Sequence, residues 1–274
     1  MNGEATSSTW RIKVTAAAWI AVSAACLLCG YEFLRSVSQS LFISTYGSKN
    51  LPWVMTLAPV GTLLFIWGYG LLLSRAGARM TILCSCMISA LAIAACYYAI
   101  GAGSRIATAV LYVVRESYIV ILVEQVWAFI NSVLRREDGR ALNGPVCGIA
   151  SLGAIGGGIA VQQWVGQLGS VNLLLCAAFS LVPTALCGLM AYGVGGEPQP
   201  EADAVHGKQG HIGVKSLVRE RPLRWLALII VLAQVISTVL DLQLSRHVEL
   251  SLFTLDDRTR WYGAFYTHLN GWSA

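Results

Sequence analysis

Charged residues interrupt one long apolar stretch of this chain, and their types and spacing are those of a polar pathway. The stretch Val113–Leu134 is apolar enough to cross a bilayer, yet it carries Arg115, Glu116 and Glu124. At about 100° per helical residue, Glu116, Glu124 and Asn131 fall within about 80° of one another on one face. A charge at the centre of a membrane helix costs roughly 2.5–3.5 kcal/mol, so such residues normally face a bundle interior or a water-filled cavity. The pattern predicts the wall of a transport cavity, with a purely structural ion pair as the alternative.

Two other apolar segments carry charged residues in the same way. In the first segment, Glu32, Arg35 and Gln39 lie within about 60° of one another on the helix, and Asp241 lies in a later segment. If all are ionised, the acids exceed the arginines by a formal charge of −2, counting Glu32, Glu116, Glu124 and Asp241 against Arg35 and Arg115. An acidic half-cavity suits proton coupling or a cationic solute better than a polyphosphate.

The composition indicates the class of protein. Of 274 residues, 56% are hydrophobic and 12% are charged, whereas an ordinary soluble domain has about 25% charged residues. We therefore predict an all-α polytopic membrane protein. Membrane topology accounts for the net charge of +5, so nucleic acid is not expected as a partner. The sequence contains no P-loop, HExxH or G-x-S-x-G motif, and we predict no enzyme activity, no cofactor and no metal site.

Hydropathy divides the chain into seven full spans and part of an eighth. Residues 1–194 are predicted to form a six-helix half, residues 195–222 a cytoplasmic linker, and residues 223–274 the start of a second, incomplete half. Pro183 is expected to break the sixth span.

The eighth helix is predicted to follow the polar stretch Thr254–Arg260 and to run from Trp261 to Ala274. It holds about 14 residues where a span needs about 20. We therefore expect this chain, expressed alone, not to transport.

The positive residues predict the orientation. Lysine and arginine are more numerous in the segments on the side of the N-terminus than in those on the other side. Cytoplasmic loops carry such an excess, so we predict a cytoplasmic N-terminus in a multi-pass protein of the bacterial inner membrane.

Small residues predict a close helix contact. Glycines in the fifth segment are spaced as two small-xxx-small pairs, and two small residues lie on the polar side of the first segment. These residues are Gly144, Gly148, Gly153 and Gly157, and Ala25 and Cys29.

The chain has six predicted spans, a long linker and a seventh span like the first. This outline resembles that of the major facilitator superfamily, whose carriers have two six-helix halves. The stretch Gly70-Leu-Leu-Leu-Ser-Arg-Ala-Gly-Ala-Arg79 resembles its loop motif between helices two and three, with Ser74 where an Asp is usual. The resemblance implies a cavity lined by helices one, four and seven. It also implies a gating loop that includes Gly70, Ser74, Arg75, Gly77 and Arg79.

Across about Tyr31–Gly157 the chain is similar to the ATP/ADP translocases of plastids and intracellular bacteria. The similar stretches are Leu34-Arg-Ser-Val-Ser-Gln-Ser-Leu41, Tyr46-Gly-Ser-Lys-Asn-Leu-Pro52 and Glu124-Gln-Val-Trp-Ala-Phe-Ile-Asn131. The Lys-Asp pair of that family's first helix corresponds to Ser38-Gln39 here. The resemblance implies secondary active transport by alternating access, with a nucleotide as one possible solute. A proton-coupled carrier of another small or cationic solute, a non-transporting receptor and a truncated product with a carrier fold stay open as alternatives.

The residues expected to bind or couple the solute come from three helices. They are Glu32, Arg35, Gln39, Arg115, Glu116, Glu124, Asn131 and Asp241. At 1.5 Å per residue, five of them are expected at one depth, in the outer half of the membrane. This layer would hold Glu32, Arg35, Arg115, Glu116 and Asp241, with both arginines held by the acids and Glu124 apart on the cytoplasmic side.

Overall fold

The computed structural model describes residues 2–133, 136–197 and 221–273, with the side chains of residues 2–9, 133–140 and 273 left out. Seven α-helices and one short 3₁₀ helix make up the regular structure of these residues. They are α1 (Asn2–Tyr46), the 3₁₀ helix Ser48–Asn50, α2 (Leu51–Gly101), α3 (Arg105–Val133), α4 (Arg136–Leu168), α5 (Leu173–Gly195), α6 (Arg221–Ser251) and α7 (Leu255–Ser273). Six helices are long and apolar enough to cross a membrane. The predicted all-α, multi-pass membrane architecture is confirmed. Residues 198–220 of the predicted linker lie outside the described residues.

Helix α2 folds back on itself at Gly77. This residue has φ 76° and ψ 168°, a backbone conformation that suits glycine. Thr62, before the kink, lies 3.2 Å from the Ser117 hydroxyl of α3, and Ser85, after it, accepts a hydrogen bond of 3.0 Å from Gln125 of α3. In a straight helix Thr62 and Ser85 would be about 35 Å apart, but their partners are only about 12 Å apart along α3. The two arms of α2 therefore run antiparallel.

The reversal of α2 lies within the predicted gating loop. The backbone of α2 stays helical on both sides of Gly77, so a single residue makes the reversal. Ser74 donates a hydrogen bond of 2.9 Å to the Leu71 carbonyl of its own helix. One glycine with a positive φ is sufficient to turn the chain, and it lies within the predicted stretch Gly70–Arg79. The other predicted members of the loop are exposed on helix ends, namely Gly70, Arg75 and Arg79.

The prediction that Pro183 breaks the sixth span is also wrong. Helix α5 continues through Pro183 from Leu173 to Gly195. Proline is tolerated within membrane helices because neighbouring groups and small adjustments satisfy the freed backbone carbonyl.

Helix α7 begins at Leu255, and not at Trp261 as predicted. The Thr254 hydroxyl accepts a hydrogen bond of 3.1 Å from the Asp257 amide and donates one of 2.6 Å to the Asp257 carboxylate. This arrangement caps the helix, and Asp256 and Asp257 are favourable in its first turn. The polar stretch therefore starts the helix instead of preceding it.

Helix α1 packs against α3, α4, α5 and α7. A Cβ atom on Gly157 of α4 would lie 2.5 Å from the Cys29 carbonyl oxygen, and one on Gly153 would overlap the Ala25 backbone. The close contact predicted for these two glycines is confirmed. The prediction is wrong for the other pair, since no described atom lies within 4 Å of a Cβ on Gly144 or Gly148.

The turns between helices define two ends of the bundle. One end holds the turns at residues 47–50, 102–104, 169–172 and 252–254. Gly77, the end of α5 and the start of α6 lie at the other. The first is named the closed end, because polar contacts tie the helices together there. The second is named the open end, because apolar side chains of α6 are exposed there.

Candidate functional site

Three helices meet around the buried side chains of Arg115 and Gln39. The Arg115 Nη1 donates hydrogen bonds of 3.0 Å to the Gln39 side-chain oxygen and 3.3 Å to the Ser38 hydroxyl of α1, and its Nη2 forms an ion pair with Glu116. The Gln39 amide in turn donates 2.9 Å to the Ser245 hydroxyl of α6. Side-chain exposure is 5% for Arg115 and 37% for Glu116. This group of five residues is named the arginine cluster.

Aromatic residues complete the surroundings of the arginine cluster. The Arg115 guanidinium lies 4.0 Å from the ring centre of Tyr112, within the range of a cation–π contact. The Tyr262 hydroxyl of α7 donates a hydrogen bond of 3.2 Å to Ser245. The Nε of Arg115 is buried and has no hydrogen-bond partner among the described residues. The cation is thus desolvated but only partly satisfied.

A second polar group lies about 10 Å along α1, two turns from Gln39. The buried Glu32 carboxylate accepts a hydrogen bond of 2.8 Å from the Asn270 amide of α7. The Arg35 guanidinium lies 3.7 Å from the ring centre of Tyr266, also of α7, and 5.8 Å from that of Tyr31. Glu32, Arg35, Tyr266 and Asn270 are named the Glu32 cluster.

The predicted site residues therefore occupy two levels. Gln39, Arg115 and Glu116 come together in the arginine cluster, while Glu32 and Arg35 lie nearer the open end. Half-buried Asp241 is within electrostatic reach of Arg35, Arg115 and Glu116. Both arginines were expected to pair with acidic side chains, but the Arg35 guanidinium lies against the rings of Tyr31 and Tyr266. Glu124 and Asn131 are exposed on α3, further towards the open end.

Sequence reasoning missed the contribution of α7. Tyr262, Tyr266 and Asn270 are four residues apart and so share one helix face, which turns towards α1 and α6. This spacing is visible in the sequence and could have indicated a functional face. It was overlooked because the helix was predicted to be only half a span long.

An apolar cavity of about 200 Å³ lies between α1, α3 and α4. Leu28 lines it and sits one turn from Glu32 on the same face of α1. Trp127 of α3 and Cys147 of α4 line it further towards the open end, and both are exposed. The cavity therefore approaches the Glu32 cluster from the open end.

Polar contacts tie the helices together at the closed end. Glu249 of α6 accepts a hydrogen bond of 3.0 Å from the Ser48 amide and a second from the Ser48 hydroxyl. Arg258 of α7 donates 3.0 Å to the Ser44 hydroxyl and 2.8 Å to the Leu252 carbonyl. These bonds join the turn after α1 to the turn between α6 and α7.

A further tie joins α7 to the turn between α4 and α5. Asp256 accepts hydrogen bonds from Ser170, 2.9 Å from its amide and 2.6 Å from its hydroxyl. At the open end, by contrast, large apolar side chains of α6 are exposed, among them Trp225, Ile229 and Val235. Helix α6 is therefore bound by polar contacts at one end of the bundle and exposed at the other.

Comparisons of the chain with protein-family models, with curated proteins and with solved structures give no match. The chemistry of the site therefore has to be argued from its geometry. That geometry is a set of buried charges between helices, with incomplete hydrogen bonding and an apolar cavity that ends one helical turn from Glu32.

Proposed function

We propose that the protein is a secondary active transporter of the major facilitator type, working by alternating access. The observation that carries the proposal is the meeting of α1, α3 and α6 around the buried, hydrogen-bonded pair of Arg115 and Gln39. Burying charges is costly unless they are paired, and transporters place such charges at the substrate or ion pathway. The two arms of α2 count as separate spans, which gives seven spans and the start of an eighth.

The orientation follows from the excess of lysine and arginine at the open end. The open end faces the cytoplasm and the closed end faces outward. The polar ties at the closed end and the exposed start of α6 support an inward-facing state. Alternation would break the ties and bring the open end together.

Two solute classes have separate support. The resemblance to ATP/ADP translocases suggests a nucleotide, and Arg115 places a cation beside Ser38 and Gln39, where that family has its Lys-Asp pair. The acids Glu32, Glu116 and Asp241 favour instead a proton-coupled carrier of a cationic solute. A nucleotide is the first candidate because Arg115 lies where the family's cation would be.

Uptake into membrane vesicles tests the proposal. Membrane vesicles would be prepared from cells that express the complete natural reading frame of the gene. The vesicles would be loaded with ADP and given labelled ATP, and pyranine fluorescence would report proton movement. We expect flux that Arg115→Gln abolishes, since the variant removes the buried cation that Gln39, Ser38 and Glu116 bind. Arg246→Gln, which changes an exposed arginine of α6, is the control and should retain flux.

The outcomes separate the alternatives. ATP entry that depends on internal ADP supports nucleotide exchange, and proton movement without ATP entry supports the proton-coupled carrier. Absence of both, with correctly inserted protein, contradicts transport and favours a receptor with a carrier fold.

A further inference from the structure

Glu32 differs from every other acid of the site in how its two oxygens are satisfied. Its side chain is buried, and Oε1 accepts the hydrogen bond from Asn270. Oε2 is also buried and has no hydrogen-bond partner among the described residues. Glu116, by comparison, is partly exposed and forms an ion pair with Arg115. A carboxylate in the position of Glu32 would be an anion with one empty acceptor, whereas a carboxylic acid would be neutral.

Among the described residues no ion pair joins Glu32 to Arg35, the nearest cation, although the two side chains interact electrostatically. Arg35 follows Glu32 by three residues, so the two side chains share a helix face and can form an ion pair. In this conformation the Arg35 guanidinium lies instead on the Tyr266 ring. The other ionisable groups within electrostatic reach are Cys29 and Tyr31 on α1 and Tyr118 on α3. None of these three is a cation.

One face of α7 holds Glu32 and Arg35 apart. Asn270 binds the carboxyl and Tyr266 binds the guanidinium. Since Tyr266 and Asn270 are one turn apart on α7, and Glu32 and Arg35 nearly one turn apart on α1, the four groups form two parallel contacts. Withdrawal of α7 would release both and allow Glu32 and Arg35 to pair.

We propose that Glu32 is a proton-binding site whose occupancy is set by the position of α7. The inference rests on the proposed carrier function. With α7 in contact, a hydronium ion in the cavity gives its proton to Oε2 and leaves a water molecule, and the site becomes neutral. When α7 withdraws, Arg35 pairs with Glu32, and the proton passes to water as hydronium. The ligand is a proton, and Arg35 is a positioning residue.

The proposed route for the proton begins in the cavity between α1, α3 and α4, which Leu28 lines and Glu32 does not. Leu28 lines the cavity and lies about 6 Å from the level of Glu32 along α1. The proton therefore arrives from the open end in this state, and it leaves only after α7 has withdrawn. Arg115 and Glu116 stay paired and keep their charges during this step.

Infrared spectroscopy of the purified full chain tests the site directly, through the C=O stretch of a neutral carboxyl group at neutral pH. We expect this band in the wild type, its loss in Glu32→Gln and its retention in Glu116→Gln. Tyr266→Leu should also remove it, because Arg35 is freed to pair with Glu32, while Tyr266→Phe keeps the ring and should keep the band. A band that persists in Glu32→Gln, or its absence from the wild type, would overturn the proposal.

Sodium provides the remaining arm of the experiment. Replacing choline chloride with sodium chloride should leave the band unchanged, and its loss in sodium would assign the site to a sodium ion and contradict a proton site. The measurement needs no transport. If the wild type shows the Glu32 band but no flux, the proton site is supported and the carrier function is contradicted. If it shows flux but no band, the carrier function is supported and the proton site is contradicted.

Discussion

The two ends of the bundle hold α6 in different ways. At the closed end Val248 of α6 is 1% exposed and packs with Phe42 of α1 and Tyr262 of α7 in one apolar group. At the open end Val235 of the same helix is 54% exposed. One helix is therefore part of a packed interface at one end and free of it at the other.

This asymmetry between the two ends indicates how the bundle can move. Interfaces with buried polar contacts and closely packed side chains have discrete arrangements. They therefore switch between distinct states and do not deform gradually. The closed end has the ties of Glu249, Arg258 and Asp256, while the open end has a cavity. Changes at the closed end should therefore affect both stability and conformation, and changes at the open end of α6 should affect neither strongly.

The largest effect is expected where α4 and α7 touch through glycine. A Cβ on Gly158 would overlap the Thr267 hydroxyl and lie 3.0 Å from the Gly263 carbonyl oxygen. Gly158→Leu should destabilise the protein by about 3 kcal/mol, at the upper end of the cost of overpacking. Gly156→Leu is the control, since no described atom lies within 4 Å of its Cβ. Unfolding followed by circular dichroism in SDS checks the pair, and equal losses would mean that α7 does not depend on this contact.

A smaller effect is expected from Arg258→Gln at the closed end. The buried guanidinium donates to Ser44, to the Leu252 carbonyl and, over 3.2 Å, to the Glu249 carbonyl. Hydrogen bonds to charged groups contribute about 1.5–3 kcal/mol, so we expect a loss of about 2 kcal/mol and an easier opening.

Opening at this end can be read from a thiol label. A cysteine replacing buried Ser40 should react with an impermeant maleimide faster in Arg258→Gln than in the wild type, with labelling measured by mass spectrometry. Arg260→Gln changes an exposed arginine of the same helix and should leave the rate as it is. A rate unchanged by Arg258→Gln would show that the ties do not close this end.

How far the sequence predicted this contrast depends on the kind of interaction. The close packing of Gly153 against a neighbouring helix was predicted because small-residue spacing has one main use between membrane helices. The polar faces of α1 and α3 were predicted because helical periodicity fixes which residues share a face. Periodicity does not fix which face meets which, so the contacts of Arg35 with Tyr266 and of Glu32 with Asn270 were not predicted. The start of α7 was misjudged because the cap at Thr254 was read as a loop.

That cap gives the next prediction. The Thr254 hydroxyl accepts from the Asp257 amide and donates to its carboxylate. Thr254→Ala should cost about 1 kcal/mol, the usual value of a helix cap, and should loosen the start of α7 next to Arg258. Thr254→Ser keeps the hydroxyl and should recover most of the loss in the same SDS titration. If serine were as unstable as alanine, the methyl group and not the cap would be responsible.

The smallest effects test the comparison within α6 itself. Val248→Ala removes two methyl groups from the packed group at the closed end, which leaves a void and should cost about 1 kcal/mol. Val235→Ala removes the same atoms from an exposed position, where substitutions usually change stability by less than about 0.5 kcal/mol. Helix propensity favours alanine equally at both positions, so it cancels in the difference between the two variants.

That difference reports on packing alone, and the same titration measures it. A cost at Val235 equal to that at Val248 would mean that the open end of α6 is packed in the membrane. The exposed arrangement of α6 would then not be the resting one. A difference near 1 kcal/mol that disappears in Arg258→Gln would mean instead that the ties at the closed end hold Val248 in its packed position, since coupled residues lose additivity.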